Sequence, residues 1–203
     1  MFIEQPPWLM RALLSHADWR ESEGERCVYL TFDDGPIPEV TPWVLDVLKK
    51  YGVKATFFMV GDNVRKHPDV FEQVVQEGHA VGNHTFSHWS GFRHSNKDYL
   101  NDVERADRLI GSHLFRPPYG WMRFTQYNTL RRKYRIVMWD VVTRDYSTHL
   151  NAREVLQNVC RYARPGSIIT FHDSLKSISK LRTALPEAIE WLLEQGYEFR
   201  TFS

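Results

Sequence analysis

The 203-residue sequence has only two cysteines, Cys27 and Cys160, and neither belongs to a C-x-x-C pair. Two thiols do not make a disulfide framework, so they read as buried free thiols, as in a reducing compartment. Long apolar runs are missing as well. None approaches the roughly 18 residues of a membrane span. The start, Met1 to Leu14, lacks the basic stretch followed by an apolar one that makes a secretory signal. The expectation is a cytoplasmic protein, or a secreted or cell-envelope one from which a leader was removed. Charge of one sign is also scarce: 26 basic and 25 acidic residues leave a net +1. That balance gives a nucleic acid or an anionic membrane little to hold. No repeat, linker or low-complexity tract interrupts the chain. What remains is an ordinary globular mix, 42% hydrophobic, 25% charged and 14% aromatic. It suits one domain, residues 1–203, with 1–25 as an N-terminal extension.

Short apolar runs bounded by Gly, Pro, Asp or Asn read as strands: Cys27 to Phe32, Lys54 to Val60, His79 to Val81, Leu114 to Arg116, Ile136 to Val142, Ser167 to Phe171 and Tyr197 to Phe202. Amphipathic segments lie between them. Thr41 can cap a helix with Pro42 at its first position, Val44, Leu45 and Leu48 as its stripe, and Gly52 as its stop. Pro68 opens another, with Phe71, Val74 and Val75 inward. Others are expected near Asn96 to Ile110, Thr125 to Lys133 and Ala152 to Ala163. The last begins near Pro186, buries Ile189, Leu192 and Leu193, and stops at Gly196. Pro6 to Leu14, with Trp8, Leu9, Leu13 and Leu14, predicts a helix packed outside. Strand alternating with helix is the pattern of a parallel α/β sheet. About seven strands in this length predict a distorted, incomplete (β/α) barrel, since a full eight-fold one needs ~250 residues. Chemistry in such folds sits at the C-terminal ends of the strands.

Polar clusters stand at those ends. The first strand ends in Thr31-Phe32-Asp33-Asp34-Gly35-Pro36. Adjacent carboxylates repel and are tolerable when one binds a cation, although Asp-Gly alone also makes a plain turn. The third strand runs into Asn83-His84-Thr85-Phe86-Ser87-His88. Two imidazoles four apart share a face if the chain turns helically, and with a carboxylate they hold a divalent metal with positions left open. The fourth leads to Arg116-Pro117-Pro118-Tyr119-Gly120-Trp121, where two prolines stiffen the loop. The fifth leads into Trp139 to Tyr146. The sixth ends in Thr170-Phe171-His172-Asp173, which offers an acid/base imidazole.

These five clusters, in this order over about residues 27 to 202, resemble the motifs of the polysaccharide deacetylase family, also called NodB-homology domains. The resemblance implies a seven-strand distorted barrel and hydrolysis of N-acetyl groups on N-acetylglucosamine-type units of peptidoglycan or chitin-like glycans. It implies Asp34, His84 and His88 as ligands of one divalent metal, for which zinc is suited and cobalt, nickel and iron also fit. It implies Asp33 as general base with Arg116 as its partner, His172 as general acid oriented by Asp145, and the Tyr119 amide as oxyanion donor. Two positions depart from the pattern: Tyr146 stands where the family usually has Trp, and Thr170 where it has Leu. Both fall where the acetyl methyl is walled, so a roomier, more polar acyl pocket is expected. Trp89, Phe92, Tyr119 and Trp121 are placed to stack on sugar rings, with Tyr146 and Thr170 against the acyl group. Two other readings remain open: an amidase or deformylase acting on a smaller N-acylated sugar, and an inactive carbohydrate-binding relative. Oligomeric state is open too.

Overall fold

The computed structural model describes residues 4–21 and 26–202. Parts of the expected N-terminal extension, residues 1–3 and 22–25, lie outside the described residues. The elements in order are α1 (Trp8–Leu13), β1 (Cys27–Asp33), α2 (Thr41–Lys50), β2 (Thr56–Met59), α3 (Gly61–Lys66), α4 (Pro68–Gln76), β3 (Ala80–Asn83), α5 (Asn96–Ile110), β4 (Leu114–Phe115), α6 (Phe124–Leu130), β5 (Arg135–Ile136), β6 (Val141–Val142), α7 (Ala152–Tyr162), β7 (Ser167–His172), α8 (Ile178–Glu194) and β8 (Glu198–Arg200).

All strand pairs are parallel, in the order β5-β4-β3-β2-β1-β7-β6, with β8 on β1. The expected fifth strand, Ile136 to Val142, is therefore two pieces. Its first part pairs with β4 and its last part with β7, so one stretch of chain spans both margins of the curled sheet. Between them Asp18 bridges Val137 and Arg20 bridges Ser167. The N-terminal segment thus fills the seam of an incomplete barrel.

Strand alternation sorts the side chains. From β1, Val28, Leu30 and Phe32 join the apolar core with α2, α7 and α8, while Tyr29, Thr31 and Asp33 turn the other way. From β7, Ile169 and Phe171 join that same core, and Ile168, Thr170 and His172 face inward with Thr31 and Asp33 as register partners of the last two. The barrel interior is thus apolar at the bottom and polar at the top.

Three expectations need correction. Helix α8 starts at Ile178, and Pro186 lies inside it. Leu181, Ala184, Leu185, Ala188 and Ile189 form one buried stripe across the proline. The carbonyl that Pro186 leaves without a donor belongs to Arg182, which is solvent-exposed. Val75 and Leu193 are exposed at the edges of their stripes. In α1 the buried side chain is Met10; Trp8, Leu9 and Leu13 face solvent, and Leu14 just after it is buried.

Candidate active site

Because every strand runs the same way, the ends of β1, β3, β4, β6 and β7 share one rim. All five non-glycine residues with positive φ among the described residues lie in the rim clusters: Asp34 (86°), Thr85 (63°), His88 (53°), Tyr119 (61°) and Arg144 (62°). Such backbone costs of order 1–3 kcal/mol per residue and persists where surrounding structure over-determines it.

Asp33 ends β1 opposite His172 of β7. One oxygen of its carboxylate accepts from Arg116 Nη1 at 2.7 Å. Arg116 is fully buried, and burial alone pushes its pKa down. It keeps its charge through acceptors on every side: Thr31 Oγ1 at 2.8 Å, Thr170 Oγ1 at 3.2 Å, and the carbonyls of Val137 (3.1 Å) and Met138 (2.7 Å). The Phe58 ring lies 4.1 Å beneath the guanidinium. The Thr170 hydroxyl, expected to add polarity to an acyl pocket, is instead spent on Arg116 and on Thr31 (3.1 Å).

Asp34, His84 and His88 offer three ligand atoms within 4.8 Å of one another. Asp34 Oδ1 lies 3.1 Å from His88 Nε2 and 3.9 Å from His84 Nε2. His84 Nδ1 sits 2.7 Å from the carbonyl of Arg116, which accepts and does not donate, so Nδ1 carries the proton and Nε2 turns its lone pair to the cluster. Burial drives the His84 pKa down to about 4, which outweighs the pull of Asp33 and keeps the ring neutral as a ligand must be. Burial pushes Asp34 up, but its hydrogen bond to His88 and the nearby imidazoles hold it well below the usual carboxylate range. Two imidazole nitrogens and a carboxylate oxygen, with an open side, are the donor set of a divalent cation of the zinc type.

The turn that carries both histidines and the Asp34 loop beside it are held by three side chains outside the ligand set, Asp102, Asn83 and Asn63. Asp102 of α5 accepts from the amides of Phe86 (3.0 Å) and Ser87 (2.9 Å) and from the Ser87 hydroxyl (2.9 Å). Asn83 accepts from Thr85 N–H at 2.8 Å, and Asn63 donates to the Asp34 carbonyl at 2.8 Å. A signal for Asp102 existed: it falls on the buried face of α5 beside Tyr99, Val103 and Ala106.

His172 Nδ1 lies 2.8 Å from Asp145 Oδ1, and its own amide donates to Asp145 Oδ2 at 2.7 Å. Burial lowers the imidazole pKa, but the Asp145 charge and hydrogen bond, with Asp34 and Asp33, win and raise it to about 9. Asp173, next in sequence, serves differently. Its carboxylate accepts from Gly35 N–H (3.0 Å) and from Thr41 Oγ1 (2.6 Å). Thr41, expected as a helix cap, is the first residue of α2 with Val40 at the cap position. A Cβ on Gly35 would meet Asp173 Oδ2 at 2.0 Å, so only glycine lets this carboxylate clamp the Asp33-Asp34 loop. Burial lifts the Asp173 pKa to about 8.

A pocket of about 850 Å³ gathers Asp33, Asp34, His84, His88 and His172 with Tyr119, Trp121, Trp139, Val142, Tyr146 and Thr170. Tyr146 sets its ring edge-on to His172, centroids 4.8 Å apart. Tyr119 does the same to His88 at 4.7 Å. Trp89 is not in the pocket lining: it stacks on His94 at 3.9 Å and packs on the core beside α5 and α6. Phe92 is outside the lining but beside Trp121.

An incomplete (β/α) barrel with a His-His-Asp cluster between a paired carboxylate and a paired imidazole is the architecture of a metal-dependent hydrolase. Residues 20–134 match the polysaccharide deacetylase family model. A peptidoglycan-N-acetylglucosamine deacetylase of Bacillus cereus is 33% identical over 196 residues, 93% of this chain and 92% of the relative. A chitooligosaccharide deacetylase of a Bradyrhizobium species is 36% identical over 165 residues, 77% of this chain and 74% of that one. Among solved structures, a peptidoglycan N-acetylglucosamine deacetylase in complex with 4-naphthalen-1-yl-N-oxidanyl-benzamide superposes with a TM-score of 0.88 at 33% identity, covering 97% of this chain and 95% of its own. A Bacillus anthracis protein described as a CE4 family pseudoenzyme superposes at 0.79 with 28% identity, covering 89% and 65%. The chain belongs to the polysaccharide deacetylase family.

Proposed function

We propose that this chain hydrolyses the N-acetyl amide of N-acetylglucosamine-type units in a peptidoglycan or chitin-like glycan, with one divalent cation, zinc by donor type, held by Asp34, His84 and His88. The observation that carries the reading is the completeness of the set: a three-donor cluster, a held carboxylate and a held imidazole open into one pocket. Since the family includes a pseudoenzyme, completeness is the feature that favours turnover over binding alone.

A cation bound there supplies Lewis-acid polarisation of the acetyl carbonyl and a lowered pKa for water. The chain's own groups do the rest. Asp33, fixed by Arg116 through one oxygen, takes a proton from the attacking water. The Tyr119 amide, set by two prolines and a positive φ, donates to the carbonyl oxygen as negative charge develops on it. His172 has Nδ1 engaged by Asp145, so its Nε2 carries the proton that passes to the departing sugar amine. Trp139, Val142, Tyr146 and Thr170 wall the pocket beside it.

The test is acetate release from chitooligosaccharides, peptidoglycan and small N-acetyl sugars, with chelator and after metal is restored. Release from the glycans that chelator stops and zinc restores is expected. No release from any glycan by the reloaded protein would overturn the proposal, and release from the small sugars alone would favour the smaller-substrate amidase.

A further inference from the structure

His84 and His88 are four residues apart, yet they are held by different means. His84 follows β3 directly, and its N–H still donates into the sheet, to the Met59 carbonyl at 2.9 Å. Its ring is pinned through Nδ1 to the Arg116 carbonyl. His88 has left the sheet. Its φ is 53°, and Thr85 at the start of the turn stands at 63°. Its ring meets Asp34 and the rings of His84 and Tyr119. None of these contacts ties it to the barrel backbone, so the place of His88 is set by the turn that carries it.

That turn is gripped through its own peptide groups. The carbonyls of Thr85 and Phe86 accept from the N–H groups of Gly61 (2.9 Å) and Asp62 (3.0 Å), which open α3. The amides of Phe86 and Ser87 converge on one oxygen of the Asp102 carboxylate, and the Ser87 hydroxyl donates to the other. Phe86 N–H also lies 3.2 Å from the Asp102 carbonyl. Asp102 is 5% exposed, well inside a 15-residue helix whose Tyr99, Val103 and Ala106 are buried beside it. A carboxylate in such a place is costly unless donors meet it. Among the described residues, every side-chain hydrogen bond of Asp102 goes to this one turn.

We propose that Asp102 is a positioning residue of the metal site, fixing His88 at ligand distance by capturing the amides just before it. The role presupposes the proposed cation site at Asp34, His84 and His88, and it assigns part of that site's affinity to a helix outside it. Metal ligation tolerates about 0.2 Å in ligand distance. A turn free to relax from left-handed backbone therefore carries its histidine away from the cation. Asp102 is not in the pocket lining and acts through peptide groups alone. The contact between its carbonyl and Phe86 N–H survives any side-chain substitution. Loss of the carboxylate therefore weakens the site and does not abolish it.

The test is zinc affinity, read by competition with a chromophoric chelator and independent of turnover. Asp102→Ala is expected to bind zinc roughly 10–100-fold more weakly, the usual effect of removing a support behind the ligands. Asp102→Asn keeps an oxygen for both amides and offers its own NH₂ to the Ser87 hydroxyl, so it should recover most of the loss. Asp140→Ala, which loosens the barrel far from the rim, should bind zinc as wild type does. In a His88→Ala background, Asp102→Ala should cost no more than about twofold, because the side chain it positions is gone. Three results overturn the proposal: unchanged affinity in folded Asp102→Ala, an equal loss in Asp140→Ala, or the full loss repeated without His88. If Asp102→Ala does not fold, Ser87→Ala carries the test. It removes the donor on the second carboxylate oxygen, a severalfold weaker affinity is expected, and wild-type affinity overturns the proposal. A wild type that takes up no zinc refutes the cation site and this role together. Zinc held in an Asp102-dependent way without acetate release refutes only the deacetylase reading.

Discussion

Asp33 and Asp140 are both buried aspartates facing arginine, yet they are built in opposite ways. Asp140 sits where β7 begins, far down the barrel from the rim. It accepts four bonds: from Arg11 (2.8 Å), twice from Arg164 (2.7 and 2.9 Å) and from Ser167 (2.8 Å). Its carboxylate is saturated, while the two arginines reach toward solvent, 29% and 41% exposed. At the rim the pattern inverts. The guanidinium of Arg116 is saturated by hydroxyls, carbonyls and a ring, and Asp33 receives one side-chain bond among the described residues. A saturated carboxylate joins segments, here the N-terminal helix, the split strand and the start of β7. A carboxylate held by one oxygen in an open pocket keeps lone pairs for a proton.

The comparison breaks most visibly at Asp33. Asp33→Asn keeps an acceptor for Arg116, whose other acceptors are neutral and remain. Activity is expected to fall 10²–10⁴-fold with metal content and fold retained, as checked by acetate release and metal analysis. Near-normal turnover would place the base elsewhere.

Asp140→Ala should do the reverse. Stability is expected to drop by about 1–3 kcal/mol in urea unfolding, because Arg11 and Arg164 can turn to solvent and are not stranded. Turnover per folded molecule should hold. The pH dependence has a definite sign. Burial pushes Asp140 up, but Arg164, Ser167 and Arg11 outweigh it and lower its pKa. Its stabilisation is therefore present above the ordinary carboxylate range and lost as pH falls below it. An acid limb of unfolding unchanged by the substitution would contradict this.

A third expectation concerns His172. Its raised pKa, about 9, means the charged form and the stabilisation it brings are fully present below the ordinary ~6.5 and lost as pH rises through about 9. If protonated His172 is the acid, activity falls over the same alkaline range. A cation on Asp34 offsets part of the upward push, so the limb should lie at or below about 9. Asp145→Asn should move it lower still. An unmoved limb in the folded variant would remove Asp145 from that role.

The smallest effects belong to the two positions that depart from the family pattern. Thr170→Val removes one of three acceptors at Arg116 Nη1, worth about 1 kcal/mol, so a severalfold loss in kcat with modest change in KM is expected. For Thr170→Leu with Tyr146→Trp, kcat/KM for formyl, acetyl and propionyl glucosamine oligomers should sharpen toward acetyl within ~1–3 kcal/mol, the worth of one methylene in an apolar pocket. The same preference before and after would make both departures matters of packing.

The rim was readable because each cluster is local: a strand of period two, then two to five polar residues. Asp33, Asp34, His84, His88, Arg116 and His172 converge for that reason. What supports them was not, because the partners are far apart in sequence. Thr41 with Asp173, and Arg11 with Asp140, have no short-range signature. Trp89 illustrates the opposite error. Its place just past His88 suggested the pocket, but His94 five residues on offers a flat face, and the pair stacks. Likewise the apolar count of α1 suggested a buried stripe, whereas a six-residue helix held by Met10, Leu14 and Arg11 has no need to bury Trp8.

The most direct measurement reloads chelated protein with zinc and follows bound metal and acetate release together, in wild type and in His84→Ala. The account predicts one equivalent bound and full recovery of glycan deacetylation in wild type, with both lost in His84→Ala. Zinc-independent acetate release, or unchanged zinc binding without His84, would contradict it.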